Sequence, residues 1–590
     1  MKNQEIAKIF YSIAEYLKVD DIPFKPQAYE KAAIALETLE EDAAKIYKQG
    51  GLKALEEISG VGVSIAEKIE EYLKTGKIKY YEQLKKKLPI DLNEITGVEG
   101  VGPKKAKVLY QKLGIRNLRD LEKAAKTHKI APLSRFGEKT EKNILEGIEF
   151  LKRSHGRFLL GEILPKVKEV YEKLSGLKEI EKLDTAGSIR RRKETIGDVD
   201  FLAVVGGSVR PASAKASAGK IMDFFVSLPG IVKVWGKGAT KASVRMKEGF
   251  DMDIRVVSPK QYGSALQYFT GSKEHNVALR KIAIDKEMKL NEYGLFRGRK
   301  MVAGKTEEEI YKKLGMDWIP PELREDRGEI EASIKGKLPE LIELEDIKGD
   351  LHVHSDWDGG VNSIEDLAKA AKDAGYEYIG IADHTKFLRI EHGLDEKQLE
   401  ERNKEIDRIN KRFSAKGGSV TGGQVFKILK GCEANIMADG SIDINDKTLA
   451  KMDFVIAGVH SQMKMTREQM TQRVIKAMKN PHVDIISHPT GRILKRRDEF
   501  QIDFDKILKV AKESGTILEI NAYPERLDLD DINIKKAKDM GVKMVINTDA
   551  HHKDQLRYME YGVSQARRGW AEKNDIINCW GLDKLLEFLK

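Results

Sequence analysis

The sequence predicts a multidomain protein with an all-α front, an α+β middle and a C-terminal half built as a strand–helix barrel. Three observations lead there. Apolar residues near the start recur at helical spacing (Ile6, Ile9, Phe10, Ile13, Leu17), with Gly and Pro falling between the helical stretches. Between about Arg157 and Val257, apolar strands carrying alternate aspartates interrupt the helices. After Gly349 the composition changes again. Nine of the twelve histidines lie there, several at the ends of apolar strands separated by helical stretches, as in a barrel that gathers polar residues on one face.

At 590 residues the chain is too long for one core. Its net charge of +10 is small against 104 basic and 94 acidic side chains, so it favours a polyanionic partner without demanding one. Two cysteines far apart, Cys432 and Cys579, argue against a disulfide framework and suit a reducing interior. No apolar run reaches the length of a membrane span, and Met1-Lys2-Asn3-Gln4 does not open a signal-peptide core. The expectation is a cytoplasmic protein with no membrane partner.

In chain order, the first chemical signals are two Gly-hydrophobic-Gly turns, Gly60-Val61-Gly62 and Gly100-Val101-Gly102, each directly before a helix. Bare backbone N–H groups there, with the helix N-terminus, make a phosphate site. The arrangement resembles the helix-hairpin-helix motif, which grips the DNA backbone without reading bases. That likeness marks Gly60, Gly62, Gly100, Gly102 and Lys104 as backbone contacts. Lys68 lies one turn into the first of these helices, with Lys25 and Tyr29 on an earlier one. A lysine in a basic cluster has a lowered pKa and can form a Schiff base with a sugar aldehyde. From about Leu118 to Lys152 the chain reads as a helical connector.

The middle is organised around Gly187-Ser188-Ile189-Arg190-Arg191 and the Asp198-Val199-Asp200 that closes the same stretch. Alternation along a strand puts Asp198 and Asp200 on one face, where they repel unless a divalent cation lies between them. Hard oxygen ligands of this kind suit Mg²⁺. Gly187 lets the backbone approach a phosphate, and Ser188 and Arg191 can donate to its oxygens. A later strand offers Asp253 as a third carboxylate; Asp251 shares its face, and spacing does not choose between them. Three such carboxylates could hold two ions about 3.5–4 Å apart, clamping both oxygens of a phosphoryl transfer.

Around these strands the pattern predicts helices near Leu159–Leu174 and Lys220–Leu228, and further strands at Leu183–Gly187, Ile231–Trp235 and Ala242–Met246. The small-residue stretch 206–219 reads as a low-complexity surface loop. Next, Tyr268-Phe269-Thr270-Gly271-Ser272-Lys273-Glu274-His275-Asn276 leads into a helix carrying Arg280, where a nucleotide sugar would need a wall.

Taken together and in this order, residues 1 to about 320 resemble the family X DNA polymerases, single-chain enzymes of gap-filling repair. The resemblance implies Asp198, Asp200 and Asp253 as the catalytic metal-binding aspartates, in preference to Asp251. It further implies Gly187, Ser188 and Arg191 for the triphosphate, Tyr268, Phe269, Gly271 and Asn276 around sugar and base, and Arg280 on the template side. Lys68 falls where that family's deoxyribose-phosphate lyase places its nucleophile, although Ser64 stands where a second lysine is common.

After a linker over 319–348, six short motifs end apolar strands: those carrying His352 and His354, Asp383-His384, Glu433, His460, His488, and Asp549 with His551 and His552. Unpaired buried imidazoles and carboxylates are costly, so convergence on one face points to a metal centre. Mixed His, Asp and Glu ligands suit Zn²⁺, Mn²⁺ or Fe²⁺. This half resembles the PHP (polymerase and histidinol phosphatase) domain, a distorted (β/α)7 barrel with a multinuclear centre. The matching ligands are His352, His354, His384, Glu433, His460, His488, Asp549 and His551. Where relatives place an Asp or His about five residues past the second histidine, this chain has Gly359, and Asp358 is the nearest substitute. Arg492 is a candidate for a substrate phosphate.

The resemblance divides the chain into 1–85, a helical DNA-binding, lyase-like domain; 86–150, a second, fingers-like hairpin domain; 151–260, a nucleotidyltransferase palm; 261–318, a thumb; 319–348, a linker; and 349–590, the PHP domain. It implies a monomeric enzyme that fills gapped or nicked DNA from dNTPs with Mg²⁺. The barrel, with Zn²⁺ and/or Mn²⁺ in up to a trinuclear centre, would add 3′–5′ exonuclease, 3′-end processing or cutting at abasic sites. Alternatives are a polymerase whose barrel only scaffolds, and a phosphatase with a DNA-binding front half.

Overall fold

The computed structural model describes residues 2–19, 22, 24–39, 41–58, 60–96, 98, 101–134, 136–153, 156–206, 211–415 and 426–589. Helices Lys2–Val19, Lys25–Thr38, Ala43–Glu56, Val63–Thr75 and Lys79–Lys87 enclose one apolar cluster that includes Ile6, Phe10, Ile13, Leu17, Ile65 and Ile69. Helices Leu92–Thr96, Pro103–Leu113, Leu118–Lys126 and Glu138–Arg153 enclose a second around Ile95, Leu109, Leu121 and Ile144. Apolar residues three and four apart give each helix one buried stripe, which is why these segments pack as bundles.

The middle holds a five-stranded sheet in the order Ile180–Ala186, Asp198–Val205, Asp251–Val257, Lys241–Met246, Ile231–Lys237. Its second and third strands run parallel and the other neighbours antiparallel. Helices Leu160–Ser175 and Pro211–Val226 join it in one core through Ile163, Val167, Ile221 and Phe225, packed with Phe201 and Val244. The expected surface loop over 206–219 is corrected here. Residues 207–210 lie outside the described residues, and helix begins at Pro211. Proline is at home in a first helical turn, and the alanines that read as low complexity are the strongest helix formers.

Helices Tyr262–Thr270, Lys273–Asp285 and Glu307–Lys313 flank a three-stranded sheet of Lys289–Asn291, Gly294–Arg297 and Lys300–Ala303. The stretch 319–348 packs Ile319, Leu323, Ile330 and Leu341 into the core of that unit, and Arg324 is fully buried there.

The C-terminal half is a ring of parallel strands in two arcs. Gly349–Val353, Tyr378–Ile381 and Lys427–Lys430 form one; Glu433–Asn435, Ile456–Gly458, Ile485–Ile486, Ile517–Asn521 and Met544–Asn547 form the other. The chain bends from Lys427–Lys430 straight into Glu433–Asn435, and a parallel bridge between Val353 and Ala550 joins the far edges. Counting the bent strand once gives a (β/α)7 barrel. Its strands are buried on both faces, which explains their unbroken apolar runs.

The barrel also carries the palm. Leu527 and Tyr561 enter the palm core, and a Cβ on Gly161 would stand 2.4 Å from Pro524 Cβ, so only glycine lets the helix Leu160–Ser175 approach this closely.

Candidate functional site

In the palm, the parallel register pairs Asp198 with Asp251 and Asp200 with Asp253, which lines up four aspartates across two central strands. Two of them face different surroundings. Asp251 is held by Arg245 at 2.7 and 2.8 Å and by Trp235 Nε1 at 2.9 Å, and these bonds lower its pKa. Asp253 has Lys241 Nζ at 2.8 Å. Asp200 is the most perturbed: burial, then Asp198 and Asp253, raise its pKa to about 6. Carboxylate donors gathered around a buried Asp200 that resists ionisation fit a hard divalent cation.

The glycine-serine turn closes on these carboxylates. Gly187 sits at φ +70, and a Cβ there would stand 3.2 Å from Asp200 Oδ2 and 3.9 Å from the Phe269 carbonyl. One glycine thus touches both the aspartates and the Tyr268-Phe269 segment. Ser188 follows in the short helix Gly187–Arg190. Arg190 grips Glu307 through two bonds of 2.8 and 2.9 Å, and Arg324 grips the same carboxylate at 2.6 and 3.0 Å. Burial alone would raise the pKa of Glu307, but the two guanidiniums hold it well below the usual carboxylate range. Arg191 donates to Glu325 Oε1 at 3.0 Å and to the Thr270 carbonyl. Asn276 bridges the Tyr268 carbonyl at 2.7 Å and Gln267 at 2.6 Å. Arg280 is exposed on the same helix.

In the front half, Gly62 and Gly102 are exposed N-caps of Val63–Thr75 and Pro103–Leu113, each with open space where a Cβ would go. Lys104 is exposed beside the second. Gly60 is also exposed, but a Cβ there would stand 3.2 Å from Val361 of the barrel, and Gly100 lies outside the described residues. Lys68 Nζ stands 6.0 and 5.6 Å from the ring centres of Tyr29 and Tyr80 and donates to Ser64. Burial lowers its pKa.

In the barrel, His352, His354, His384, Glu433, His460, His488, Asp549 and His551 converge. The Glu433 carboxylate lies 3.3 Å from His352 Nε2, 2.8 Å from His384 Nδ1, 3.2 Å from His460 Nε2 and 3.0 Å from His488 Nε2. Asp549 Oδ1 lies 3.3 Å from His354 Nε2, whose ring stacks on His551 at 4.2 Å. His352 Nε2, His354 Nε2, His384 Nδ1 and His460 Nε2 are buried and face these carboxylates without the geometry of a hydrogen bond, and His488 Nδ1 is buried with no partner. Ligands of a tetrahedral ion at bonds of about 2.0 Å stand about 3.3 Å apart. These spacings and orphaned nitrogens therefore fit a metal centre.

Four groups of ligand atoms lie within 4.8 Å of one another: His354, His384 and His551; His352, His354 and Asp549; His384, Glu433 and His460; His354, Asp358 and Asp383. Among the described residues all such groups are in the barrel, and the palm aspartates are more open. Asp358 Oδ2 lies 2.8 Å from His354 Nδ1 and accepts the His384 amide at 2.8 Å.

Sequence reasoning missed Glu519. It holds His352 Nδ1 at 2.6 Å, receives the His488 amide at 2.8 Å and takes a bond from Asn547 at 3.0 Å. The signal was there: a glutamate inside the apolar strand Ile517–Asn521. Arg492, the candidate for a substrate phosphate, is corrected: it donates to Glu194 of the palm at 2.8 Å and to backbone carbonyls of Arg526 and Leu527.

The fold and both clusters describe a nucleotidyltransferase palm and thumb joined to a metal-binding PHP barrel. Comparison with known proteins agrees. The chain matches the families described as helix-hairpin-helix domain over 1–78, SAM-like helix-hairpin-helix tandem over 92–149, DNA polymerase beta thumb over 265–325 and PHP domain over 350–523. It is 37% identical over 595 residues to the DNA polymerase/3′-5′ exonuclease PolX of Bacillus subtilis, covering 100% of both chains. A probable phosphatase of Thermoanaerobacter sp. (strain X514) is 34% identical over 174 residues, 28% of this chain and 68% of the relative. A Leishmania infantum polymerase beta structure, a ternary P/T complex, aligns at 25% identity over 40% of this chain and 97% of that one, with a TM-score of only 0.26. The chain belongs to the family X DNA polymerases with a C-terminal PHP domain, as a homologue of DNA polymerase/3′-5′ exonuclease PolX.

Proposed function

We propose that the protein fills short gaps in DNA from dNTPs and that its barrel processes 3′ ends as a 3′–5′ exonuclease. The observation that carries the reading is Gly187, which puts a phosphate seat against Asp200 on the strand that faces Asp253. Mg²⁺ at the aspartates would neutralise charge on the transferring phosphoryl group, and Zn²⁺ and/or Mn²⁺ at the barrel would supply hydroxide at neutral pH.

Asp198, Asp200 and Asp253 carry the cation-binding role, and Lys241 holds Asp253 in place. Ser188 and the amides of the turn receive the triphosphate, with Arg191 exchanging its Glu325 contact for phosphate oxygens. Tyr268, Phe269, Gly271 and Asn276 wall the sugar and base, and Arg280 meets the template. Gly62 and Gly102 offer helix N-termini to the DNA backbone. Lys68, with its lowered pKa, is the proposed lyase nucleophile. In the barrel the eight converging residues hold the metals, with Asp358 and Glu519 fixing ring orientation. Orphaned buried ring nitrogens weigh against a barrel that only scaffolds. The domain divisions and a monomeric state belong to the same proposal.

The test is a 5′-labelled gapped duplex incubated with the protein and Mn²⁺, with and without dNTPs. The label should move to longer products with nucleotides and to shorter ones without. A label that never lengthens overturns the polymerase reading, and one that never shortens overturns the exonuclease.

A further inference from the structure

We propose that the PHP barrel shapes the phosphate seat of the polymerase, with Arg568 and Arg492 as positioning residues. The proposal rests on the reading of Gly187–Arg191 as the triphosphate site. Both shoulders of the turn that follows are fastened to the barrel. On one side Arg568, buried at the end of helix Met559–Arg568, donates from one nitrogen to the Arg191 carbonyl at 2.9 Å and to Glu325 Oε1 at 3.1 Å. Arg191 Nε reaches that same Glu325 oxygen at 3.0 Å, and Lys193 Nζ lies 3.7 Å from the other. The second guanidinium nitrogen of Arg568 is anchored on Asp531, which also holds Arg327 at 3.1 Å.

On the other side, Glu194 receives Arg492 at 2.8 Å and Gln565 at 3.5 Å. Arg492 in turn bonds the Arg526 carbonyl at 3.1 Å, and Arg526 Nε lies 3.5 Å from Asp549 of the metal cluster. Between the shoulders, Arg192 sits in the left-handed region at φ +53 and closes the short helix through its own amide to the Ile189 carbonyl at 3.1 Å and the Lys193 amide to the Ser188 carbonyl at 3.0 Å, so the barrel grips the turn directly beyond the glycine-serine seat. A phosphate seat made of amides and a guanidinium binds well only when it is already in shape. The barrel supplies that shape, and Glu325 is the carboxylate shared by the guanidinium meant for nucleotide and the one that belongs to the barrel.

The experiment is single-nucleotide insertion into gapped DNA by the full chain carrying Arg568→Ala, Arg568→Lys or Arg492→Ala. Hydrolysis of bis(p-nitrophenyl) phosphate and the melting temperature are measured alongside. Arg568→Ala should raise the KM for dNTP about fivefold or more, leave kcat within about twofold, and leave phosphodiester hydrolysis unchanged. Arg568→Lys should recover only part of the loss, since an ammonium cannot reproduce the planar fork. An unchanged KM in folded protein overturns the proposal, as does an equal fall of insertion and hydrolysis, which marks general damage. If Arg568→Ala does not fold, Glu194→Gln cuts the joint from the palm side, and the same KM criterion applies. Wild-type protein that inserts no nucleotide sinks the polymerase reading itself, and this inference with it.

Discussion

The two clusters solve one problem in opposite ways. The palm crowds aspartates together with Lys241 as the close counter-charge of Asp253, and Asp200 is pushed up to about pKa 6 by burial and by Asp198 and Asp253. The barrel mixes signs. Burial alone would lower the pKa of His352, but Glu433, Glu519 and Asp549 raise it well above the usual range; the same histidine helps hold Glu433 well below its own. Asp200 is therefore left uncompensated until a cation arrives, whereas the mixed site of the barrel is partly satisfied by its own residues. Their supports differ as well. The palm turn is fixed by arginines, through the ion pairs Arg190–Glu307–Arg324 at its start and through Arg568 and Arg492 of the barrel beyond it, and the barrel ligands by apolar strands buried on both faces.

The sharpest way to break this comparison is Glu307→Gln. It leaves two guanidiniums in low dielectric without the one carboxylate they share, and should cost about 3–5 kcal/mol in a denaturation measurement. Because the pKa of Glu307 is lowered by folding, its contribution is present above about pH 4.5 and lost as the pH falls further. The variant and the wild type should therefore converge in acid. Equal stability at pH 7 would mean that the ion pairs do not hold the turn.

Next is Glu519→Gln. The amide still fills the space but no longer offers His352 a carboxylate, and metal affinity of the barrel should fall about 10–100-fold, read by titration with a chelator. Gap filling should be untouched. Loss of both activities would join the two centres more tightly than their separate ligands imply.

The smallest effect runs in the opposite direction. Asp200→Asn should abolish insertion yet raise stability by about 1–2 kcal/mol at pH 8 in chelator, after discounting for partial hydration. The sign follows from the raised pKa: the contribution of Asp200 is complete below about pH 4 and is lost as the pH rises through about 6. The gain should vanish at low pH. A variant no more stable than wild type at pH 8 would deny that the buried Asp200 carboxylate costs stability.

Much of this was legible in the chain because it depends on local spacing. Asp198 and Asp200 share a face by strand alternation, and histidines at the ends of apolar strands announced the barrel. What spacing does not encode is long-range pairing. Arg191 meets Glu325 and Arg492 meets Glu194 across 134 and 298 residues, so a phosphate role for Arg492 was as natural as its actual use as a bolt between units. Glu519 was visible only as a misfit among Ile517, Leu518 and Ile520. The helix from Pro211 was hidden by a composition that suits loops and helices alike.

The central claim is that one chain carries two chemically independent centres. Its most direct test is a single assay on 5′-labelled gapped DNA with dNTPs and divalent cation, comparing Asp200→Asn, His354→Ala and wild type. Asp200→Asn should only shorten the labelled strand and His354→Ala should only lengthen it. If either substitution silences both reactions in folded protein, or if neither changes the pattern, the assignment of synthesis to the aspartates and hydrolysis to the histidines is contradicted.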